Sequence, residues 1–291
     1  MEGLNIIVLA KQVPDTRNVG KDAMKANGTV NRSALPAIFN PEDLQALEQA
    51  LRLKDVHKGS TVTVVTMGPI RAANILRDSL FRGADKGVLI TDKKFAGSDT
   101  LATSYVLSLA LKKLKTYDVV LCGRQAIDGD TAQVGPQVAE NLKIPQITYV
   151  EEILEVKKNT LTARRRLSNG VETLKGKLPM LLTVHGSAPE CRTQHAMRLM
   201  KFKHACTPSE MSHEREDYIQ MHDTKHYLDL VEWNVDDLKA EVEYLGLSGS
   251  PTKVNAVTNI VFTAKESRVI EATDKEIDAL MAELVEHHNV G

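Results

Sequence analysis

The sequence predicts an α/β fold, in which a parallel twisted sheet with helices on both faces is followed by a small antiparallel hairpin excursion and a C-terminal arm. Short continuous apolar runs alternate with helix-length amphipathic stretches over the first half of the chain. Hairpin turn residues then separate several short alternating segments, and the apolar density falls after Gly186. Continuous apolar runs are typical of parallel strands because helices cover both faces of such a sheet.

The apolar runs predict strands over residues 4–10, 61–67, 87–91 and 117–122, with a fifth near residues 146–150. The stretches between them predict helices over residues 41–57, 70–81 and 99–115. Asn40 and Ser98 introduce the first and third of these helices, and a fourth is expected to start near Thr131. Strands and helices in this alternation build a parallel sheet.

The pattern changes at Glu151. Lys158-Asn159 and Asn169-Gly170 are typical of hairpin turns, and residues 179–184 return to a buried strand. Farther on, residues 235–245 and 273–287 have helical periodicity, and Thr273 with Glu276 matches a capping box. We therefore expect one domain with a C-terminal extension.

Composition and charge exclude several classes of protein. Thirty-seven Lys and Arg against 38 Asp and Glu give a net charge of -1, so no overall field favours nucleic acid or an anionic membrane. The three cysteines are scattered, as in a protein of a reducing compartment. No apolar run approaches the roughly 18 to 20 residues that span a bilayer, and the N-terminus has no cleavage-site pattern. A soluble cytoplasmic protein is expected.

Ligands of open parallel sheets bind beyond the carboxyl ends of the strands, which directs attention to the loop GRQAIDGDTAQVG at residues 123–135. Its glycines, small residues and following helix allow backbone N–H groups to approach a phosphate. Thr131 could cap the helix and donate to a phosphate, and Asp128 or Asp130 could accept from ribose or adenine. The alternative is a turn with a local Asp cap. Neither the dinucleotide G-x-G-x-x-G pattern nor a P-loop occurs at a strand end.

The segment from Asn40 to Asp43 has two interpretations. It is either a helix start with Pro at the first position and acids in the first turn, or Asn40 faces the same crevice as the loop. Five histidines lie within residues 195–226; of these, His222 and His226 have a spacing that could share a metal, but no Glu completes the motif. We predict no metal site and no catalytic residue, and Cys122 is expected to be inert.

Four segments then carry a family resemblance. They are IIVLAKQVPDT, FNPEDLQALEQALRLKD, GADKGVLI and GRQAIDGDTAQVGPQVAE. In this order they resemble the β subunit of electron transfer flavoprotein over roughly residues 1 to 205. The resemblance implies an adenine-nucleotide-hydrolase-like fold, a larger α subunit as partner, and a nucleotide in the crevice of this chain.

Within that family, residues 128–136 look like the electron-bifurcating group. In that group the crevice holds FAD, which accepts a hydride from NADH. Electrons then pass to ferredoxin or flavodoxin and, through the α-subunit FAD, to a flavin dehydrogenase of acyl-CoA or 2-hydroxy-acid type. Other members hold a structural AMP instead. NADH oxidation is therefore expected only in the assembled complex. A different class, a universal-stress-like nucleotide-binding module, would share the sheet without needing the arm.

The resemblance also implies site residues. The expected cofactor contacts are Leu9, Asn40, Pro41, Glu42, Asp43, Met67, Arg124, Gln125, Ala126, Ile127, Asp128, Gly129, Asp130, Thr131, Ala132, Gln133, Val134 and Gly135. Residues 188–203 match the family's recognition loop for dehydrogenases, with Ala196 where familiar members carry leucine and Met197 where they carry proline. The expected partner contacts are Arg192, Ala196, Met197, Arg198, Leu199, Met200 and Lys201.

These expectations divide the chain into three parts. Residues 1–187 form a nucleotide- or flavin-binding domain, residues 188–205 a recognition loop, and residues 206–291 an arm that packs on the partner subunit.

Overall fold

The computed structural model describes residues 3–15, 35–157, 159–211, 222, 224–252 and 269–286. The chain divides into two compact units, residues 1–255 and residues 256–291. All described strands belong to the first unit, and the second contains one described helix.

A nine-stranded sheet forms the centre of the first unit. Numbered along the chain and given in spatial order, its strands are β11 (Val231–Trp233), β5 (Lys86–Ile90), β4 (Thr61–Met67), β1 (Asn5–Leu9), β6 (Val119–Gly123), β10 (Met180–Val184), β7 (Gln146–Lys157), β8 (Thr160–Leu167) and β9 (Gly170–Lys177). The seven strands from β11 to β7 are parallel neighbours, and β8 and β9 continue antiparallel. A separate antiparallel pair joins β2 (Gln12–Pro14) to β3 (Ala37–Phe39).

Helices cover both faces of this sheet. The described helices of the first unit with four or more residues are α1 (Pro41–Val56), α2 (Ala73–Arg82), α3 (Thr100–Leu114), α4 (Val134–Leu142), α5 (Ala196–Phe202), α6 (Pro208–Met211) and the one-turn helix Val235–Leu238. In β1, Ile6 and Val8 join one apolar cluster with α1 and α2, whereas Ile7 and Leu9 join a second with α3 and α4. Successive strand side chains point to opposite faces, so a strand buried on both faces must be apolar throughout. The predicted α/β fold is confirmed.

The order of the strands reverses between β1 and β6. From β1 the chain moves through α1 to β4 and through α2 to β5, each step on the same side of β1. It then crosses by α3 to β6 on the other side of β1. In open α/β sheets such a reversal opens a crevice at the carboxyl ends of the two strands, because their connections leave in opposite directions.

The hairpins expected after Glu151 are present as β7, β8 and β9. Gly170 at the second turn has φ of 153°, a backbone conformation that glycine adopts without strain. The strand β7 is longer than the predicted residues 146–150, since its first part pairs with β10 and its remainder pairs with β8.

Three predicted helices differ in their limits. Asp99, not Ser98, caps α3, because its carboxylate accepts hydrogen bonds from the Leu101 and Ala102 N–H groups at 2.9 and 3.0 Å. The helix expected near Thr131 begins at Val134. Residues 235–245 are not one helix: the turn Val235–Leu238 ends at Lys239, whose φ of 51° is left-handed, and a 3-10 turn follows later.

The segment expected to form an arm begins within the first compact unit. Its strand β11 pairs with β5 at the edge of the sheet, so residues up to 255 belong to the unit that carries the crevice. In the second unit, the helix Asp274–Glu286, called the C-terminal helix below, has no buried residue. Thr273 accepts a hydrogen bond from the Glu276 N–H at 3.4 Å, but the Glu276 carboxylate accepts from the Glu271 N–H rather than completing the capping box. Among the described residues, no helix is long and apolar enough to cross a membrane.

Candidate functional site

Asp43 joins the two strands that border the crevice. From the first turn of α1, its carboxylate accepts a hydrogen bond from the Lys11 N–H at 2.9 Å, just past β1, and one from the Gly123 N–H at 2.7 Å, the last residue of β6. The side chain is buried. Burial raises the pKa of Asp43 to about 7, although the two N–H donors act to lower it.

Asn40 connects α1 to the loop that follows β6. Its side chain makes no capping bond to its own helix. Instead the amide nitrogen donates to the Gln125 carbonyl at 2.9 Å, and the amide oxygen accepts from the Ile127 N–H at 3.2 Å. Asn40 is fully buried, so this pair of bonds fixes the loop in place. The helix start expected from the sequence is confirmed, since Pro41 opens α1 and Glu42 and Asp43 lie in its first turn, and Asn40 in addition binds the loop that follows β6.

Glu42 holds the base of the same loop. Its carboxylate accepts from the Arg124 guanidinium at 3.0 Å and from the Gln125 N–H at 3.0 Å. A Cβ atom on Gly123 would lie 2.6 Å from the Asp43 carboxylate and 2.8 Å from the Glu42 backbone carbon. Only glycine therefore fits where α1 and β6 meet, because no other residue allows the two backbones to approach so closely.

Residues 124–133, called the crevice loop below, adopt an unusual backbone. Asp130 and Ala132 have φ of 49° and 53°, which lie in the left-handed region. This conformation is incompatible with a helix, and it explains why α4 begins at Val134 rather than at Thr131. Alternation between right- and left-handed residues turns successive N–H groups toward one side and favours anion binding. Gln133 occupies the N-cap position of α4 without a side-chain capping bond.

The polar side chains of the crevice loop make contacts on its outer side, and the glycine at its tip is open. Lys11 approaches both carboxylate oxygens of Asp128 at 2.8 Å, across the mouth of the crevice. The Gln125 amide donates to Asp130 at 2.7 Å. A Cβ atom on Gly129 would meet no atom within 4 Å, so the chain leaves open space at the loop tip.

Several residues of the expected cofactor set also pack against the body of the protein. Leu9 is buried in the apolar cluster beneath α3 and α4. Gly135 serves helix packing, since a Cβ there would lie 2.7 Å from Thr183 and 2.8 Å from the Cys122 sulfur. Met67 and Val134 pack against the same apolar cluster. Thr131 is exposed and lies outside α4.

Sequence patterns missed several residues that shape the site. Lys11 follows β1, but its ion pair joins residues 117 positions apart in sequence. Thr100, at the start of α3, donates to Gln133 at 2.9 Å and anchors the far end of the crevice loop. Tyr149 lies with the Arg124 guanidinium 5.7 Å from its ring centre and has φ of 59°, a strained value for a bulky residue. No local signal marks such contacts.

Comparison with known proteins identifies the family. Residues 27–205 match the electron transfer flavoprotein domain. The chain is 43% identical over 288 residues to the electron transfer flavoprotein subunit beta of Clostridium acetobutylicum, covering 99% of this chain and 100% of that one. The chain belongs to the electron transfer flavoprotein family. As an electron transfer flavoprotein β subunit, it is also 40% identical to the caffeyl-CoA reductase-Etf complex subunit CarD of Acetobacterium woodii, covering 86% of each chain.

A third relative of this β subunit is the acryloyl-CoA reductase electron transfer subunit gamma of Anaerotignum propionicum. The two are 39% identical over 292 residues, which covers 98% of this chain and 99% of the other. The β subunit therefore matches these relatives along nearly all of its length, including the segments after residue 205 that the resemblance covered less well.

The expected recognition loop of the β subunit contains the helix α5, and two of the three basic residues expected to contact the partner instead make internal contacts. Arg192 binds Glu48 at 2.9 Å and Asp55 at 2.8 Å. Burial acts to raise the pKa of Glu48, but hydrogen bonds from Arg192 and Arg52 outweigh it and lower that pKa. Arg198 donates to the Leu80 carbonyl at 2.6 Å and also to the Ala84 carbonyl.

The remaining residues of that segment of the β subunit are mostly exposed. Met197 is 75% exposed and Met200 is 63% exposed, and Ala196 is exposed beside them, whereas Leu199 is half-buried. Lys201 lies 5.0 Å from the Phe202 ring centre and 4.8 Å from that of Tyr227. One face of α5 thus presents two methionines and one lysine to solvent.

The histidines considered for a metal form a different arrangement. His222 and His226 each contact one oxygen of the Asp229 carboxylate, at 2.7 and 3.3 Å. His213 lies outside the described residues. Within the described ranges, no group of three His, Cys, Asp or Glu side chains could hold a metal. Burial raises the pKa of Cys122, an effect that Asp43 and Glu42 increase, as expected for an inert thiol.

Proposed function

We propose that this chain is the β subunit of an electron-bifurcating electron transfer flavoprotein and binds FAD in the crevice between β1 and β6. The observation that carries the proposal is the crevice loop, which is held rigidly at its base by Asn40 and Glu42 and is open at Gly129. A rigid base and an open tip suit a ligand that lies along the backbone. The family assignment replaces the universal-stress-like hypothesis.

The residues of the crevice fit an anionic nucleotide. The left-handed turns at Asp130 and Ala132 and the uncapped start of α4 offer backbone N–H groups to a phosphate. Two polar side chains of the loop, Gln125 and Thr131, would contact ribose or base. When bound, FAD would supply the redox chemistry, accepting a hydride from NADH and passing electrons onward. The chain's own contribution is to bind and orient it.

Two considerations favour FAD over the structural AMP of other members. The sequence of the loop resembles the bifurcating pattern, and two of the relatives carry names of acyl-CoA reductase complexes, caffeyl-CoA and acryloyl-CoA. AMP remains the alternative, since it would use the same backbone groups. FAD is distinguished from AMP by its second phosphate, its ribityl chain and its isoalloxazine, and the open space beside Gly129 is where this part of the ligand would extend.

The proposed partners follow from the same assignment. A larger α subunit completes the heterodimer and carries a second FAD. Only 4% of residues are aromatic, so few rings of this chain can cover a flavin and the partner subunit must supply much of that surface. Ferredoxin or flavodoxin accepts one electron, and a flavin dehydrogenase of acyl-CoA or 2-hydroxy-acid type accepts the other. We place the complex in the cytoplasm.

Counting cofactors tests the proposal. The chain is co-expressed with its α subunit, and the purified heterodimer is extracted for FAD and AMP. We expect two FAD per heterodimer. One FAD with one AMP would establish the AMP alternative, and one FAD without any nucleotide at the crevice would overturn both. Reduction of the heterodimer by NADH, followed by absorbance, then tests the electron donor independently.

A further inference from the structure

The two cations at the crevice differ in how firmly they are held. The Arg124 guanidinium binds Glu42 and lies over the Tyr149 ring, and Glu42 is held by a second bond from the Gln125 N–H. Removing Arg124 would leave the half-buried Glu42 carboxylate without a cationic partner. Arg124 therefore serves to hold the base of the crevice loop.

Lys11 is held much more weakly. Among the described residues, its ammonium group forms hydrogen bonds to Asp128 alone, and the two side chains are 49% and 20% exposed. Ion pairs at such exposure contribute little to stability, because water screens them and two side chains lose freedom. A competing anion can consequently take the place of either partner.

The backbone on both sides of this ion pair is fixed. The Lys11 N–H donates to Asp43, and the Lys11 carbonyl accepts from the Asn40 N–H at 3.0 Å. Next to Asp128, the Ile127 N–H donates to the Asn40 side chain. Exchange of partners at Lys11 thus requires only rotation of side chains and no movement of strands or loop.

We infer that Asp128 is an internal competitor for Lys11, occupying it until a phosphate of the bound nucleotide displaces the carboxylate. The inference rests on the proposed nucleotide site and assigns Lys11 as a phosphate ligand there. The phosphate of AMP and the pyrophosphate of FAD each carry about two negative charges, against one on a carboxylate, so either group binds the ammonium group more strongly. The Asp128 carboxylate weakens nucleotide binding and thereby makes the nucleotide exchangeable.

A direct role for Asp128 would have the opposite consequence. If its carboxylate accepts from the ribose or adenine, as the sequence suggests, then removing the charge weakens binding. If it competes for Lys11, removing the charge strengthens binding. The sign of the change therefore separates the two roles.

The experiment uses the full chain co-purified with its α subunit, after removal of the nucleotide bound to the β subunit. Dissociation constants are measured by titration calorimetry for FAD and AMP, and for riboflavin and adenosine, which lack phosphate. We expect Asp128→Asn to bind the phosphate-bearing ligands about two- to fivefold more tightly. Lys11→Met should bind them about tenfold more weakly. Riboflavin and adenosine should show neither change.

The double variant is the control for a general change of charge. With Lys11→Met already present, Asp128→Asn should no longer tighten binding, since there is no ammonium group to release. Tightening that persists in the double variant, or Asp128→Asn binding that is unchanged or weaker, would overturn the inference. Asp128→Ser repeats the measurement with a shorter side chain, and thermal unfolding verifies that each variant is folded.

Failure of the inference can be distinguished from failure of the proposed function. The wild-type heterodimer could bind FAD or AMP at one equivalent per β subunit while the Asp128 variants do not gain affinity. In that case the proposed competition for Lys11 is wrong, and the proposed nucleotide site is supported. If the wild type binds neither ligand at the β subunit, both proposals are wrong.

Discussion

Asp43 connects the end of β1 to the end of β6 through one carboxylate. Its carboxylate accepts hydrogen bonds from two backbone N–H groups. No other described side chain accepts a hydrogen bond from either of them. Burial strengthens these hydrogen bonds, but it also disfavours the charged form of the Asp43 carboxylate. Asp43 therefore contributes to the shape of the crevice at some expense in stability at neutral pH.

This balance predicts how stability depends on pH. The folded pKa of about 7 lies above the unfolded value of 3.8, so the folded state binds more protons between the two values. The free energy of unfolding contributed by Asp43 is then highest at low pH and decreases as the pH rises through 7. Between about pH 5 and pH 8 the decrease should be on the order of 2–3 kcal/mol.

Urea unfolding of wild type and Asp43→Asn over that pH range measures the effect. Asn cannot ionise, so the difference in unfolding free energy, wild type minus variant, should decrease as the pH rises. A difference that is constant with pH would show that Asp43 keeps one protonation state throughout.

Two glycines, Gly123 just before the crevice loop and Gly129 at its tip, offer a matched pair of variants. Gly123→Ala should destabilise the protein by at least about 2 kcal/mol and lose nucleotide, since its Cβ would collide with Asp43 and with the Glu42 backbone. Gly129→Ala should unfold at the wild-type temperature, because its Cβ points into open space. Equal melting temperatures for both variants in calorimetry would contradict this arrangement of α1 against β6.

At the scale of elements, the sequence determined the strands and most helices because their apolar periodicity is local. The runs that became β1, β4 and β6 are mostly apolar and are buried on both faces. The limits of α3 and α4 depend on a side-chain cap and on backbone angles, which the apolar periodicity does not show. Asp99 rather than Ser98 is the N-cap of α3. Two residues in the left-handed conformation precede α4, so that helix starts later than the sequence predicts. The bonds of Asn40 to the crevice loop cross more than 80 positions and have no local pattern.

The helix α5 gives a prediction about docking. Lys201 is exposed beside Met197 and Met200, whereas Arg198 anchors α5 to carbonyls near the end of α2. Lys201→Glu should therefore slow electron delivery to the dehydrogenase several-fold at low salt, with no change in unfolding free energy. Arg198→Glu should lower that free energy by about 2 kcal/mol.

Stopped-flow measurements separate the two steps of electron transfer. NADH reduction of the Lys201→Glu heterodimer should match the wild type, while its oxidation by the dehydrogenase slows. Because the expected leucine of the family is Ala196 here, the methionines and Lys201 must provide more of the contact. Equal rates for the variant and the wild type at both steps would remove α5 from the docking surface.

At the scale of the whole molecule, the two compact units differ in how they are stabilised. The first buries two apolar clusters, one on each face of its sheet. The C-terminal helix has an apolar stripe in which Ile277 and Met281 are each 44% exposed and Val285 is 55% exposed. A helix of 13 residues has little stability by itself in water. Such a stripe is typical of a helix that packs on another surface.

We expect that surface to be the α subunit, and deletion of the residues after Thr273 tests the expectation. Covering the exposed parts of three apolar side chains contributes on the order of 2–4 kcal/mol, so the dissociation constant of the heterodimer should rise at least about tenfold. The thermal unfolding of the sheet should hardly change. Asp278→Ala, on the same helix but outside the stripe, is the control and should assemble normally. Undiminished co-purification of the truncated chain with the α subunit at nanomolar concentration would contradict the assignment, since the stripe would then contribute nothing to assembly.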